Sequence, residues 1–131
     1  MAAPFPNPTV GELAILRVMW SRQEPMTVRQ VHSELSRGKD TAYTTVLKML
    51  TIMAGKGLVR RDASERSHTY RVAHAEPVVQ ASLLKDLVRR AFSGSALTLV
   101  QRAIDDEITS ADDLQTIARL IAQAKANRKK G

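Results

Sequence analysis

The sequence predicts a mainly α-helical protein carrying one small β-hairpin, and three observations point there. Four segments open with helix-capping signals, apolar residues recur at helical spacing after each, and one stretch between them changes to a period of two. Cysteine is absent, which removes disulfide staples, thiol catalysis and thiolate zinc sites together. A chain of 131 residues forms one compact domain, or a small domain with an appendage, and buries roughly two-thirds of its unfolded surface without such staples.

The elements follow in order. In "PTVGE", Thr9 caps a helix with Glu12 three residues on, the reciprocal capping-box spacing, and Leu13, Ile15, Leu16, Met19 and Trp20 make its buried stripe. "RQEP" is a short Pro-marked connection. "MTVRQ" repeats the box with Thr27 and Gln30 and opens a second helix buried through Val28, Val31 and Leu35. In "KDTAY", Asp40 or Thr41 caps a third helix whose Val46, Met49, Leu50 and Met53 follow i, i+3, i+4, i+7, and Gly57 ends it. "LVRRDASERSHTYRVA" then reads as two short strands around a polar turn, with His68 and Arg71 outward and Tyr70 and Val72 inward. This order is that of a winged helix-turn-helix, assigned to residues 1–75.

Residues 76–131 read as a helical dimerisation domain. Val79, Leu83, Leu84, Leu87, Val88 and Ala91 stripe one helix. Gly94 breaks it, and Ser95 caps a second helix carrying Leu97 and Val100. Ser110 caps a third with Leu114, Ile117, Ala118, Ile121 and Ala124. Because the preceding unit has its own core, these faces need another partner, and the simplest is a second copy. The expected interface is Leu83, Leu84, Leu87, Val88, Leu97, Val100, Leu114, Ile117 and Ile121. The tail "KANRKKG" is expected to fray.

The net charge is +7. Residues 1–75 hold 11 Lys and Arg against 6 Asp and Glu, and residues 76–131 hold 9 against 7. A basic first half suits a polyanion, although charge alone describes a merely basic protein equally well. The arrangement decides. With the core stripe of the third helix buried, its opposite face presents Tyr43, Thr44, Leu47, Lys48 and Thr51, with Thr45 and Ile52 at the margins. No acid occurs from Thr41 to Lys56. Hydroxyls, methyls and a lysine suit base edges and phosphates in a major groove, where carboxylates would repel the duplex. Packing on another helix is the alternative, but it would bury Lys48 with no evident partner. Thr27 and Arg29 at the start of the second helix can hold a phosphate. Arg60, Arg61, Arg66 and His68 decorate the hairpin, where a wing would lie along the backbone or minor groove, or else form an ordinary solvated turn.

Other chemistry is missing. His32, His68 and His74 lack a ligating spacing, Asp105, Asp106 and Glu107 are adjacent rather than convergent, and no phosphate loop or nucleophile elbow occurs. No enzyme, metal or cofactor is expected. "MAAPFPNP" has neither a charged n-region nor an apolar core, and no apolar run reaches membrane-spanning length, so a cytoplasmic protein without membrane insertion is expected.

The run "AILRVMWSRQEPMTVRQVHSELS", then "DTAYTTVLKMLTIMAGKGLVRR", the wing "HTYRV" and the tail "FSGSALTLV" resemble the penicillinase-repressor family of bacterial transcription regulators over nearly the whole chain. The resemblance implies a homodimer on a palindromic double-stranded operator. The genes it controls would be those of a β-lactam response or a linked sensor, and the inducer a membrane metalloprotease or its downstream protease. Carried over by position, the recognition contacts fall on Thr44, Thr45 and Lys48, with Tyr43 at the helix start. Copper-responsive members end in paired cysteines, which are absent here, so copper sensing is not expected. Where antibiotic-responsive members are cut at an Asn-Phe bond, this chain reads "QRAID", with Arg102 and Ala103. Two rival readings are a winged-helix adaptor that binds protein through the third helix, and a regulator with a small-molecule pocket between domain and tail.

Overall fold

The computed structural model describes residues 5–64, 66 and 68–130. Its elements are α1 (Val10–Arg22), β1 (Met26–Thr27), α2 (Val28–Leu35), α3 (Tyr43–Lys56), β2 (Val59–Asp62), β3 (Thr69–Val72), α4 (Glu76–Ala91), α5 (Ala96–Asp105) and α6 (Ala111–Lys130). The chain divides into two compact units within α4, one reaching to Lys85 and the other starting at Asp86. Among the described residues no helix is long and apolar enough to cross a membrane.

The first unit is a winged helix-turn-helix, built on local signals. The Thr9 hydroxyl accepts from the Glu12 amide at 3.2 Å while Glu12 Oε1 accepts from the Thr9 amide at 2.9 Å. Thr27 and Gln30 form the same box at the start of α2. The helices enclose Ile15, Leu16, Met19, Val31, Val46, Leu50 and Met53, with Met26, Leu58, Val59 and Tyr70 closing the core from the sheet side. Burial of each such side chain contributes about 1.5–3 kcal/mol. Gly57 ends α3 at φ 81°, the left-handed region that a residue without Cβ adopts freely.

The sheet is larger than the expected hairpin. β1 adds a third antiparallel strand, in order β1-β3-β2, pairing Met26 with Tyr70 and Thr27 with Thr69. β2 pairs Val59 with Val72 and Arg61 with Tyr70. The strand just before α2 thus joins the wing to the helix-turn-helix. Trp20 Nε1 donates to the His74 carbonyl at 3.1 Å, and Ser82 Oγ donates to Asn7 Oδ1 at 2.6 Å, which tie the first turns of α4 to this unit. Val79 is buried there and Leu83 packs against the same core.

Two helix ends correct the sequence reading. Neither Asp40 nor Thr41 caps α3: its N-cap is Ala42, with no side-chain hydrogen bond. The Thr41 hydroxyl donates instead to the Lys39 carbonyl. The tail expected to fray continues α6 through Lys130, and residue 131 lies outside the described residues.

In the second unit Asp86 pairs with Arg89 and Arg90. Ser93 and Gly94, both at positive φ, turn the chain after α4. Ser95 caps α5 by accepting from the Thr98 amide at 3.1 Å, and Ser110 caps α6 by accepting from the Asp113 amide at 3.1 Å. Among its described residues none is buried.

Candidate nucleic-acid interface

Helical spacing puts Val46, Leu50 and Met53 in the core and turns Tyr43, Thr44, Leu47, Lys48 and Thr51 outward, with Thr45 and Ile52 beside them. Tyr43 is 44% exposed and Leu47 41% exposed. The Thr51 hydroxyl donates to the Leu47 carbonyl at 2.9 Å, so it offers a partner only lone-pair acceptance and its methyl.

The start of this helix meets the wing. Thr27, Arg29, Tyr43, Leu47, Arg66 and His68 surround a recess of about 360 Å³ floored by Val28 and Tyr70. Four parts contribute: β1 brings Thr27, α2 brings Arg29, α3 brings Tyr43 and Leu47, and the wing brings Arg66 and His68. Among the described residues, none of those lining it is a carboxylate. A second recess, of about 590 Å³ beside Trp20, contrasts with it, because Glu24 and Glu76 line that one. Among the described residues, Arg29, Lys48, Arg60 and Arg66 have no carboxylate within 4 Å, and the unit's ion pairs use Arg22, Arg37 and Lys56 instead. Arg17, Lys39, Arg61, Arg71 and Lys85 are likewise outside the ion pairs of the described residues.

Arg60 and Arg61 are exposed on β2. Arg61 Nε donates to His68 Nδ1 at 3.1 Å across the hairpin, so these two expected contacts hold each other. The wing also contains an acid: Asp62 accepts from the Ser64 amide at 2.9 Å, and that bond, helped by the Ser64 side chain and nearby Arg71, holds its carboxyl below the usual range. Asp62 fastens the turn rather than the recess.

Two supporting groups escaped the sequence reading. His32 Nε2 lies 2.6 Å from the Thr41 carbonyl, just ahead of α3, and its ring meets the Tyr43 ring edge-on, with centroids 5.8 Å apart and planes at 76°. The signal was its position four residues after Val28, at the margin of the buried stripe. At the far end, Lys56 donates to both oxygens of buried Glu12, at 2.9 and 3.1 Å. Burial pushes the Glu12 carboxyl up, but the Lys56 hydrogen bond, the Thr9 amide and the Lys56 charge outweigh it and leave it below its ordinary value. No local pattern announces a pair 44 residues apart.

The tail residues sit as follows. Leu83 serves the first unit's core. Leu84, Leu87, Leu97, Val100, Leu114 and Ile121 are exposed, while Val88 and Ile117 are half-buried within the second unit. Arg102 pairs with Asp105 near the end of α5, one residue before Ala103. Among the described residues no group of three His, Asp or Glu side chains converges on a metal position.

A family model described as penicillinase repressor matches residues 8–123. Two relatives named transcriptional regulator BlaI, from Mycobacterium tuberculosis strains CDC 1551 / Oshkosh and ATCC 25618 / H37Rv, are each 37% identical over 116 residues, covering 88% of this chain and 83% of theirs. A solution structure of monomeric Bacillus licheniformis BlaI in complex with the blaP half-operator aligns with a TM-score of 0.49 at 23% identity, over 56% of this chain and 89% of that one.

Proposed function

The chain belongs to the penicillinase repressor family of transcription regulators, which are not enzymes, and from that premise we propose that it is a dimeric, sequence-specific repressor that occludes a palindromic operator. The observation that carries this reading is the exposed, acid-free face of α3 running into a recess whose described lining includes Arg29, Arg66 and His68 and no carboxylate. In the proposed complex Thr44, Thr45, Leu47 and Lys48 face base edges, and Tyr43 stands where groove and backbone meet. Arg29 and the amides at the start of α2 take a phosphate, while Arg60, Arg61, Arg66 and His68 follow the backbone. The genes controlled are of the β-lactam-response or linked-sensor class that the family's name suggests.

Residues 1–75 read DNA in this scheme and residues 76–131 join two copies. What supports the dimer is the unfilled apolar surface of α4 to α6, through Leu84, Leu87, Leu97, Val100, Leu114 and Ile121. Pairing would set two α3 helices in successive major grooves, roughly 34 Å apart. The second half-site would then be met at high effective concentration. A membrane metalloprotease, or a protease downstream of it, would relieve repression by cutting the tail and undoing that advantage.

The test is fluorescence anisotropy on a duplex selected by the protein from a random pool, at several salt concentrations. Affinity is expected to fall by about 0.9 log unit per log unit of salt for each phosphate neutralised. Lys48→Ala is expected to reduce both that slope and the preference over a scrambled duplex. Binding that ignores salt and sequence alike would refute the proposal and favour a protein-binding adaptor.

A further inference from the structure

The start of α3 has no cap of its own, since Ala42 has no side chain able to satisfy the first-turn amides. The segment before it is held from another helix. His32 Nε2 reaches the Thr41 carbonyl at 2.6 Å. A carbonyl can only accept, so this nitrogen must carry the hydrogen. The same ring meets Tyr43 edge-on. Among the described residues no other side chain of α2 bonds the segment 39–42. Its remaining ties are backbone or local: the Lys39 amide to the Leu35 carbonyl, the Ala42 carbonyl to the Thr45 and Val46 amides, and the Thr41 hydroxyl to the Lys39 carbonyl. One imidazole therefore fixes both the chain leading into the reading helix and the first ring exposed on it.

We propose that His32 is a positioning residue for DNA sequence discrimination. It touches no base; it sets the angle at which α3 starts and the direction of the Tyr43 ring, and through these the register of Thr44, Leu47 and Lys48 against the duplex. This inference rests on the proposed DNA reading. Its signature separates it from a purely structural role: losing His32 should weaken discrimination between sequences while leaving the electrostatic part of binding intact, because Arg29, Lys48 and Arg66 are untouched.

The imidazole atom involved dictates the test. Glutamine can place an amide N–H near the position of Nε2, whereas asparagine reaches only as far as Nδ1. Full-length wild type, His32→Ala, His32→Gln and His32→Asn are compared on the selected duplex and a scrambled duplex of equal length. Salt slopes and melting temperatures are measured alongside. His32→Ala and His32→Asn are expected to lower the scrambled-to-selected ratio of dissociation constants about five- to tenfold, the size of one lost hydrogen bond with its ring contact. His32→Gln should restore the ratio to within about twofold, and salt slopes on the scrambled duplex should match in all four. A wild type that discriminates, beside a His32→Ala or a His32→Gln/His32→Asn pair that does not separate in this way, overturns the role of His32 alone. A wild type that selects no sequence overturns the DNA reading and this inference together.

Discussion

In the first unit Ile15, Val31, Val46, Leu50 and Met53 are wholly screened from water, whereas in the second Leu97 and Ile108 each keep 77% of their surface exposed. Both units contain helices opened by side-chain caps, at Thr9 and Thr27 in the first and Ser95 and Ser110 in the second, so capping does not distinguish them. Closure does. Three helices and a small sheet surround one shared interior in the first, while among the described residues of α5 and α6 none is buried. The second unit's local supports are the caps at Ser95 and Ser110 and the exposed pairs of Asp86 and Arg102. Caps contribute about 1 kcal/mol each and surface pairs less. The proposed second copy would supply the surface that such a unit lacks, whereas the first unit has its own interior.

The sharpest break of this contrast is expected at Leu87. Leu87→Asp, or Leu84→Asp, should convert a dimer to a monomer in sedimentation and weaken operator binding by on the order of 10²–10⁴-fold. The first unit's unfolding transition should stay where it was. An intact dimer in both variants removes the tail from the interface. Next comes Leu50→Ala, expected to cost the first unit about 2–5 kcal/mol in urea unfolding. Leu97→Ala should cost almost nothing in a monomeric background such as Leu87→Asp. Equal costs at the two positions would erase the distinction between the units.

A smaller effect is expected at the Glu12–Lys56 pair. Lys56→Met leaves a buried carboxylate with only its Thr9 bonds and should cost about 1–3 kcal/mol. Lys56 is itself about one-third exposed, which keeps the figure below that of a fully buried pair. The folded Glu12 carboxyl lies below its ordinary value. Its contribution is therefore fully present above the unfolded carboxylate range and disappears as pH falls through the folded value. The acid limb of the stability curve should be flatter in Glu12→Gln than in wild type. The smallest effect is expected for Gly11→Ala: the new methyl would meet Met49 Cε at 2.8 Å, the mobile end of a flexible side chain. Gains in helix propensity and the cost of shifting that methyl should nearly cancel, within about 0.5 kcal/mol by thermal denaturation.

What the sequence disclosed follows the range of each interaction. Thr9–Glu12, Thr27–Gln30, Ser95 and Ser110 act over three residues, and their spacing is visible in the chain. The outward face of α3 was legible because one helical period fixes all of its members together. β1 was not, since two residues show no period and become a strand only beside Tyr70 and Thr69. The cap at Asp40 or Thr41 failed because the connection is held by His32, so local preference lost to a tertiary bond. The recess needed β1, α2, α3 and the wing at once, and their residues were visible in the sequence without any sign that they meet.

One feature of α3 reaches beyond binding strength. The helix is held as a beam on two supports, His32 before its first turn and Glu12 at Lys56. Neither support lies among the residues that face outward between them. Apart from Tyr43, whose ring meets His32, side chains in that span can be exchanged without disturbing either bearing, so under the proposed DNA reading a new target sequence could be acquired while the scaffold continues to fold as before.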